Sequence, residues 1–256
     1  MIAAPRPGLL LIAHGSRDRR HARAIAALSA AVAGSLPGVA VETGFLSLSE
    51  PSVTEAYRRL VRGLVDNAEA AENDGRAKVP TAIRVVPLFL QAGYHVQHDV
   101  PQAVAEARHA VPYNAEVTVA GALGPDRLLA ESFERRIREA GCWPGDPRLE
   151  LIPAGATKKT EVDPAALAAP LPPGATHRLV LAGFLAPGEL PDRARARAGA
   201  AGVPITEPLI SETLGPAEEL VRLVVARYRE GGAAAAPADC ARESRAHGSL
   251  QPSATR

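Results

Sequence analysis

Through the first half of the chain, short apolar runs alternate with longer stretches of helical period. The run Leu9–Ala13 is continuously apolar, the mark of a strand covered on both faces. Further strand-like runs lie at Val39–Leu48, Ile83–Leu90 and Glu116–Gly121. Between and after them, apolar positions recur every three or four residues over Asp18–Gly34, Pro51–Asn73, Val96–Ala110 and Pro125–Ala140, which predicts helices. Strand and helix in alternation build a parallel sheet flanked by helices, an α/β fold. Each strand of such a sheet delivers its carboxyl end to one rim, where loops are free to carry chemistry. Gly15, Ser49–Pro51, Ala92–Gly93 and Ala122–Gly124 fall on that rim.

Beyond the Trp143–Pro147 linker the pattern begins again. FLQAG at Phe89–Gly93 is echoed by FLAPG at Phe184–Gly188, and the segment from Gly124 (GPDRLLAESFERRIREAG) by that from Gly215 (GPAEELVRLVVARYREG). Internal similarity of this kind indicates a duplication. A weaker match sets Leu9–Arg17 beside Leu149–Thr157, so that Ala154 stands where His14 stands and Leu190 near the place of His95. Only about 25 residues separate the first two apolar runs of the second copy, too few for two βα units. The expected organisation is therefore a first domain over residues 1–143 that carries the site, a degenerate domain over 144–231, and a tail over 232–256. That tail is rich in Ala, Gly, Pro and Ser without apolar period and is expected to be disordered.

Composition narrows the function. The chain has 256 residues, and its 29 basic side chains nearly balance 28 acidic ones, leaving no basic stripe of the kind nucleic acid demands. The apolar run Gly8–Ala13 is far too short to span a membrane. Two cysteines, Cys142 and Cys240, make neither a disulfide framework nor a metal cluster, and a reducing cytoplasm is the expected setting.

Two segments carry chemistry. In Ala13–Asp18 (AHGSRD) a strand ends in His14, and Gly15 permits a sharp turn that projects the imidazole over the rim. Ser16 is placed to cap the next helix, with Arg17 facing any anion docked there. The plainer reading is a turn histidine with a capping serine. In Pro87–Pro101 (PLFLQAGYHVQHDVP), another strand runs through a Gly93 loop into a helix start bearing His95, His98 and Asp99. On a helix these three share a face, and Asp99 is spaced to orient a histidine through its second nitrogen. A solvated first turn is the plainer reading here. Two histidines converging on one rim would make an open site for a divalent metal, since imidazole suits Fe, Co, Ni and Zn. A hydrolase or histidine phosphatase fits less well, because no Arg precedes His14 and no G-x-S-x-G elbow is present.

Taken as a pair, AHGSR and PLFLQAGYHVQHDVP, with FLSLSEPSV (Phe45–Val53) between them, resemble the class II sirohydrochlorin chelatases of siroheme and cobalamin biosynthesis. The resemblance covers Gly8 to about Gly141 well and Arg178–Gly231 more loosely, as in a fused two-domain member. It implies two similar chelatase-like domains, each a parallel sheet flanked by helices, facing across a cleft, with the second domain reduced. The implied reaction is insertion of Fe²⁺ or Co²⁺, as a metal substrate, into sirohydrochlorin or a related tetrapyrrole, with no permanently bound cofactor. The chain is then expected to act as a monomer with an internal pseudo-dimer. His14 and His95 match the family's metal-site histidines, and the substrate-facing set is Gly15, Ser16, Arg17, Ser47, Gly93 and His98. Relatives often carry a Glu where this chain has Ser47, which leaves Glu50, ahead of Glu42, as the nearest replacement carboxylate. Arg19, Arg20 and His21 are further docking candidates. Long cobalt-specific relatives tend to add His-rich or Cys-rich stretches, which this chain lacks, so Fe²⁺ is the first expectation. A non-catalytic metal or tetrapyrrole carrier using the same histidines is the alternative.

Overall fold

The computed structural model describes residues 7–73, 82–155 and 162–230; the tail expected to be disordered lies outside them. The first half runs β1 (Gly8–Ala13), α1 (Arg19–Ser35), β2 (Val41–Phe45), α2 (Val53–Asn73), β3 (Ala82–Pro87), α3 (Val100–Ala110), β4 (Glu116–Val119) and α4 (Arg127–Glu139). The strands form one parallel sheet in the order β2-β1-β3-β4. All six residues of β1 are buried, as its unbroken apolar run requires. Its side chains divide by the strand period of two. Leu9, Leu11 and Ala13 join the core containing Ile25 and Leu28 of α1, whereas Leu10 and Ile12 join the core containing Tyr57 and Leu60 of α2 and Val104 of α3.

The second half comprises β5 (Leu149–Ala154), α5 (Pro164–Ala168), β6 (His177–Ala182), α6 (Glu189–Ala200), the short antiparallel pair β7 (Ile210–Ser211) and β8 (Gly215–Pro216), and α7 (Glu218–Glu230). Strands β5 and β6 pair in parallel, and Ile205 adds one parallel bridge to Val180. The reduction expected from the spacing of its apolar runs is visible as this small sheet. Its own core is modest: Ala154, Val180, Ala182, Phe184, Ala194 and Ala198 are among its members.

Helix α7 does not cover that small sheet. Leu220, Leu223 and Val224 are fully buried in the core that holds Leu9, Leu11 and Val86, so α7 lies on the first sheet beside α1 and α4. Polar contacts hold it there. Arg227 donates to the carbonyls of Ala122 and Leu123 at 3.1 Å each and to Asp126 at 2.9 Å. Arg135 of α4 forks onto Glu219 at 2.6 and 2.7 Å. The guanidinium of Arg136, only 1% exposed, donates to the carbonyls of Leu209 and Gly215 and so ties α4 to both sides of the β7–β8 hairpin. A break after residue 143 therefore separates the first sheet from one of its covering helices. Helical period marks α7 as a helix but says nothing about which sheet it covers. Among the described residues, no helix is long and apolar enough to cross a membrane.

Candidate metal centre

In the order β2-β1-β3-β4 the chain leaves β1 toward one edge and returns past it to β3, so the loops after these two strands diverge at a switch point. Open α/β sheets bind ligands there, at the strands' carboxyl ends. Strands β1 and β3 are hydrogen-bonded neighbours, and the Leu88 amide still donates to the Ile12 carbonyl at 2.8 Å just past β3. His14 follows β1 and His95 follows β3. Their rings meet edge to face, with centroids 4.6 Å apart and planes at 74°.

Close backbone approach shapes the His14 turn. Gly15 has φ of 95°, and a Cβ there would lie 1.7 Å from the carbonyl oxygen of Ser47. No other residue type fits. The Ser47 amide donates to the His14 carbonyl at 3.0 Å, while Ser49 accepts from the Ser16 amide at 3.0 Å and donates to the Ser16 carbonyl at 2.9 Å. Strand β2 accordingly stops at Phe45 rather than Leu48, because Leu46–Ser49 folds back onto this turn. The expectation that Ser16 caps α1 is corrected. Asp18 is the N-cap, accepting from the Arg20 amide at 2.9 Å, and Ser16 instead accepts from the Asp18 amide one turn earlier.

The second histidine stands on a π-helical turn, His95–Asp99, where the Val100 amide bonds to the His95 carbonyl before α3 begins. Pro101 follows, and in a continuous α-helix its ring would crowd the Gln97 carbonyl, so the wider turn accommodates it. Nδ1 of His95 is 2.5 Å from Oδ2 of Asp99. As donor, Nδ1–H leaves Nε2 with a free lone pair. His98 does not join them in a shared cluster; its ring lies 4.5 Å from that of Tyr94. The Gly93 loop is exposed, and the Gly93 carbonyl accepts the amides of Val96 and Gln97 that open the turn.

Other expected residues take varied places. Ser47 is exposed, its hydroxyl 3.4 Å from the His14 carbonyl. Glu50 is exposed and accepts from the Ser52 amide at 3.1 Å, a local turn contact. Glu42 sits within β2, where burial pushes its carboxyl upward in pKa, three residues short of the rim. Arg17 and Arg19 are exposed. Arg20 is not available for docking in the same way, since it pairs with Asp18 and with Asp192 of α6, and lies 3.9 Å from Glu212 of the β7–β8 turn. His21 is no solvated cation either. Its Nδ1 is buried without a hydrogen-bond partner, its ring lies 6.4 Å from Phe45, and burial first, then the charge of His14, holds its pKa below the usual imidazole value.

In the second half, Ala154 is buried at the end of β5 and Leu190 is exposed at the start of α6, so neither position corresponding to His14 or His95 offers an imidazole. Among the described residues no group of three or more His, Cys, Asp or Glu could hold a metal ion. A metal at this rim would have two imidazoles as its protein donors, leaving the rest of its coordination sphere open.

Known proteins resemble this chain in sequence and in fold. The sirohydrochlorin cobaltochelatase of Methanococcoides burtonii is 31% identical over 136 residues, spanning 50% of this chain and 92% of that protein. The sirohydrochlorin ferrochelatase of Bacillus subtilis is 24% identical over 149 residues, 58% of this chain and 51% of that protein. Among solved structures, the sirohydrochlorin chelatase SirB from Bacillus subtilis subspecies spizizenii in complex with cobalt superposes with a TM-score of 0.66 over 88% of this chain and 95% of that one, at 18% identity. At that identity the likeness is one of fold. The CbiX family model matches residues 8–140, the stretch that contains the whole first sheet, both rim histidines and the loops that pin them. With just over half of the chain matched in this way, the protein belongs to the CbiX family.

Proposed function

We propose that this protein is a sirohydrochlorin chelatase, which holds a divalent metal ion between His14 and His95 and delivers it into the tetrapyrrole. The observation that carries the reading is the edge-to-face meeting of two imidazoles from neighbouring strands at the switch point of a CbiX-family sheet. Two nitrogens that each lie about 2.1 Å from one ion are themselves roughly 3–4 Å apart. Rings with centroids 4.6 Å apart can present that pair. A two-imidazole site binds the metal loosely, which insertion requires, because pyrrole nitrogens must replace the protein donors. Neutral imidazole also accepts protons, and two must leave the pyrroles as the metal enters. Gly15, Ser16, Ser47 and Gly93 shape the loops around the ion, Arg17 meets substrate carboxylates, and His98 borders the site through Tyr94. Glu50 is the carboxylate to test as a further proton acceptor. The metal ion is a substrate, and the two halves of one chain work as a pseudo-dimer.

For the metal, the lack of any His-rich stretch favours Fe²⁺. The cobaltochelatase names of the Methanococcoides burtonii and Sulfolobus acidocaldarius relatives favour Co²⁺. The deciding assay gives purified protein sirohydrochlorin with Fe²⁺ or Co²⁺ under anaerobic conditions and follows the absorption change. Acceleration by the wild-type chain, abolished in His14→Ala and His95→Ala, is the expected result. No acceleration over the spontaneous rate with either metal would sink the assignment, and stoichiometric binding without turnover would make the protein a carrier.

A further inference from the structure

One side chain joins the His14 turn to the second half. Arg20, in the first turn of α1, sets the Nε–Nη2 edge of its guanidinium against Asp18, with Nε 3.1 Å from each carboxylate oxygen. The other edge faces Asp192 of α6, with Nη1 3.3 Å from Oδ1 and Nη2 bonded to Oδ2. Glu212 of the β7–β8 turn lies 3.9 Å away. For the helix alone a cation is out of place here, because the free amides at a helix N-terminus carry partial positive charge. The carboxylates account for it. Arginine suits the position because its planar fork of donors holds two carboxylates at once, which the compact ammonium of lysine does not.

Asp18 closes the turn on which His14 stands. On one side that turn is strapped by Ser47 and Ser49; on the other, the Ser16 hydroxyl accepts from the Asp18 amide and Arg20 grips the Asp18 carboxylate. Asp192 belongs to the smaller core. Helix α6 buries Ala194 and Ala198 with Val180, Ala182 and Phe184, and none of these enters the core beneath α1 and α7. The backbone links the two where the amides of Leu209 and Ile210 donate to the carbonyls of Phe184 and Leu185 at 3.1 and 2.8 Å. Helix α6 begins at Glu189, just beyond that crossing, so Asp192 in its first turn rides on a short, fixed lead.

We infer that Arg20 is a positioning residue for His14: binding Asp18 and Asp192 together, it uses α6 of the second half as the anchor for the turn that carries the imidazole. The inference rests on the reading of His14 as a metal donor and deepens it. Without Arg20 the anchor turns into a repulsion, since Asp18, Asp192 and Glu212 remain as like charges about one point. The turn then keeps only its serine strap. The second half, with Ala154 where His14 would stand, thereby has a role that needs no imidazole of its own.

The test measures Co²⁺ affinity of the full chain from its visible spectrum, metal-free sirohydrochlorin affinity by fluorescence quenching, and kcat and KM for insertion. Arg20→Ala should weaken Co²⁺ binding and lower kcat about fivefold, within the range usual for residues that couple two sites without touching the ligand. Asp192 is half exposed, so Asp192→Ala tests the anchor without disturbing a core, and it should act in the same direction. The double variant should bind Co²⁺ no more weakly than Arg20→Ala, because the aspartate has nothing left to hold. Asp192→Glu should recover the affinity, Arg20→Lys should fall between, and sirohydrochlorin affinity should stay unchanged throughout. Arg135→Ala, which breaks the comparable fork onto Glu219 between α4 and α7, should lower stability and leave Co²⁺ affinity as in wild type. Unchanged Co²⁺ affinity in Arg20→Ala or in Asp192→Ala, an equal loss in Arg135→Ala, or a loss of sirohydrochlorin affinity in place of Co²⁺ affinity overturns the anchor alone. A wild-type chain that binds no Co²⁺, or binds it as well in His14→Ala, overturns the anchor together with the metal-centre reading.

Discussion

Asp99 fixes the imidazole of His95: its Oδ2 lies 2.5 Å from Nδ1, four residues back along a π-helical turn. With that nitrogen occupied, Nε2 is the atom left for a metal or a proton. Carboxylates that hold a ligating histidine in this way are typically worth about 10–100-fold in metal affinity or activity. Asp99→Ala should therefore lower Co²⁺ affinity and kcat/KM by that factor while leaving metal-free sirohydrochlorin binding intact. Asp99→Asn, whose amide oxygen still accepts Nδ1–H, should recover part of the loss. Titration with Co²⁺ followed by visible absorption checks both.

Gly15 admits no side chain. An alanine Cβ would lie 1.7 Å from the Ser47 oxygen at a φ of 95°, so Gly15→Ala must push the Leu46–Ser49 segment off the His14 turn. A shift of about 1 Å in a reacting group commonly costs on the order of 100-fold in rate. The expected phenotype is a loss of insertion of that size together with a stability loss of about 2 kcal/mol, measured by steady-state kinetics and urea denaturation. Ser49→Ala, which removes only the hydroxyl that bridges to Ser16, should cost about 1 kcal/mol and leave more activity.

His21 predicts an acid-side weakness. Burial lowers its pKa in the folded chain below the usual value near 6.5, so the unfolded chain takes up the proton more readily. Stability from this group is complete above pH 6.5 and falls as the pH drops below it, until the folded pKa is also passed. Thermal melts at pH 8 and pH 5.5 should show a drop for wild type that is smaller in His21→Leu. An equal drop in both would place the acid sensitivity elsewhere.

Arg136 couples α4 to the hairpin that carries Glu212 and Leu214. Replacing it by Ala leaves the carbonyls of Leu209 and Gly215 and the carboxylate of Glu139 without their donor. Removal of one partner from a buried charged network costs roughly 3–5 kcal/mol, readable as a shifted denaturation midpoint. Arg136→Lys should retain the charge but not both carbonyl bonds, and fall between.

Much of the first sheet and of the histidine pair is legible in the sequence because both are local. An unbroken apolar run announces β1, His14 is the polar residue at its end, and His95 stands at the helix start after the Gly93 loop that follows the next strand pattern. Partners distant in sequence are not announced. Arg20 reads as one more exposed cation until Asp192 and Glu212 arrive from the second half. His21 reads as part of a basic, solvated turn, whereas Phe45 and the helix bury it. The same reasoning explains His98, whose spacing fits a shared face with His95 but whose ring finds Tyr94 instead. Even the capping error at Ser16 is of this kind. Ser49, 33 residues on, grips the Ser16 backbone, the Ser16 hydroxyl accepts from the Asp18 amide, and Asp18 caps the helix.

Helix α7 sets the order in which this protein can be completed. During synthesis β1 emerges early, yet the apolar face formed by Leu9, Leu11 and Val86 has no full cover until Leu220, Leu223 and Val224 have left the ribosome. The Tyr228 hydroxyl then closes the circuit by donating to the carbonyl of Pro7 at 2.6 Å, 221 residues away. The half that carries His14 and His95 is translated first and finished last. A nonsense mutation anywhere before α7, even one that spares every residue of the histidine site, removes that cover and should leave an aggregation-prone fragment in place of a smaller enzyme.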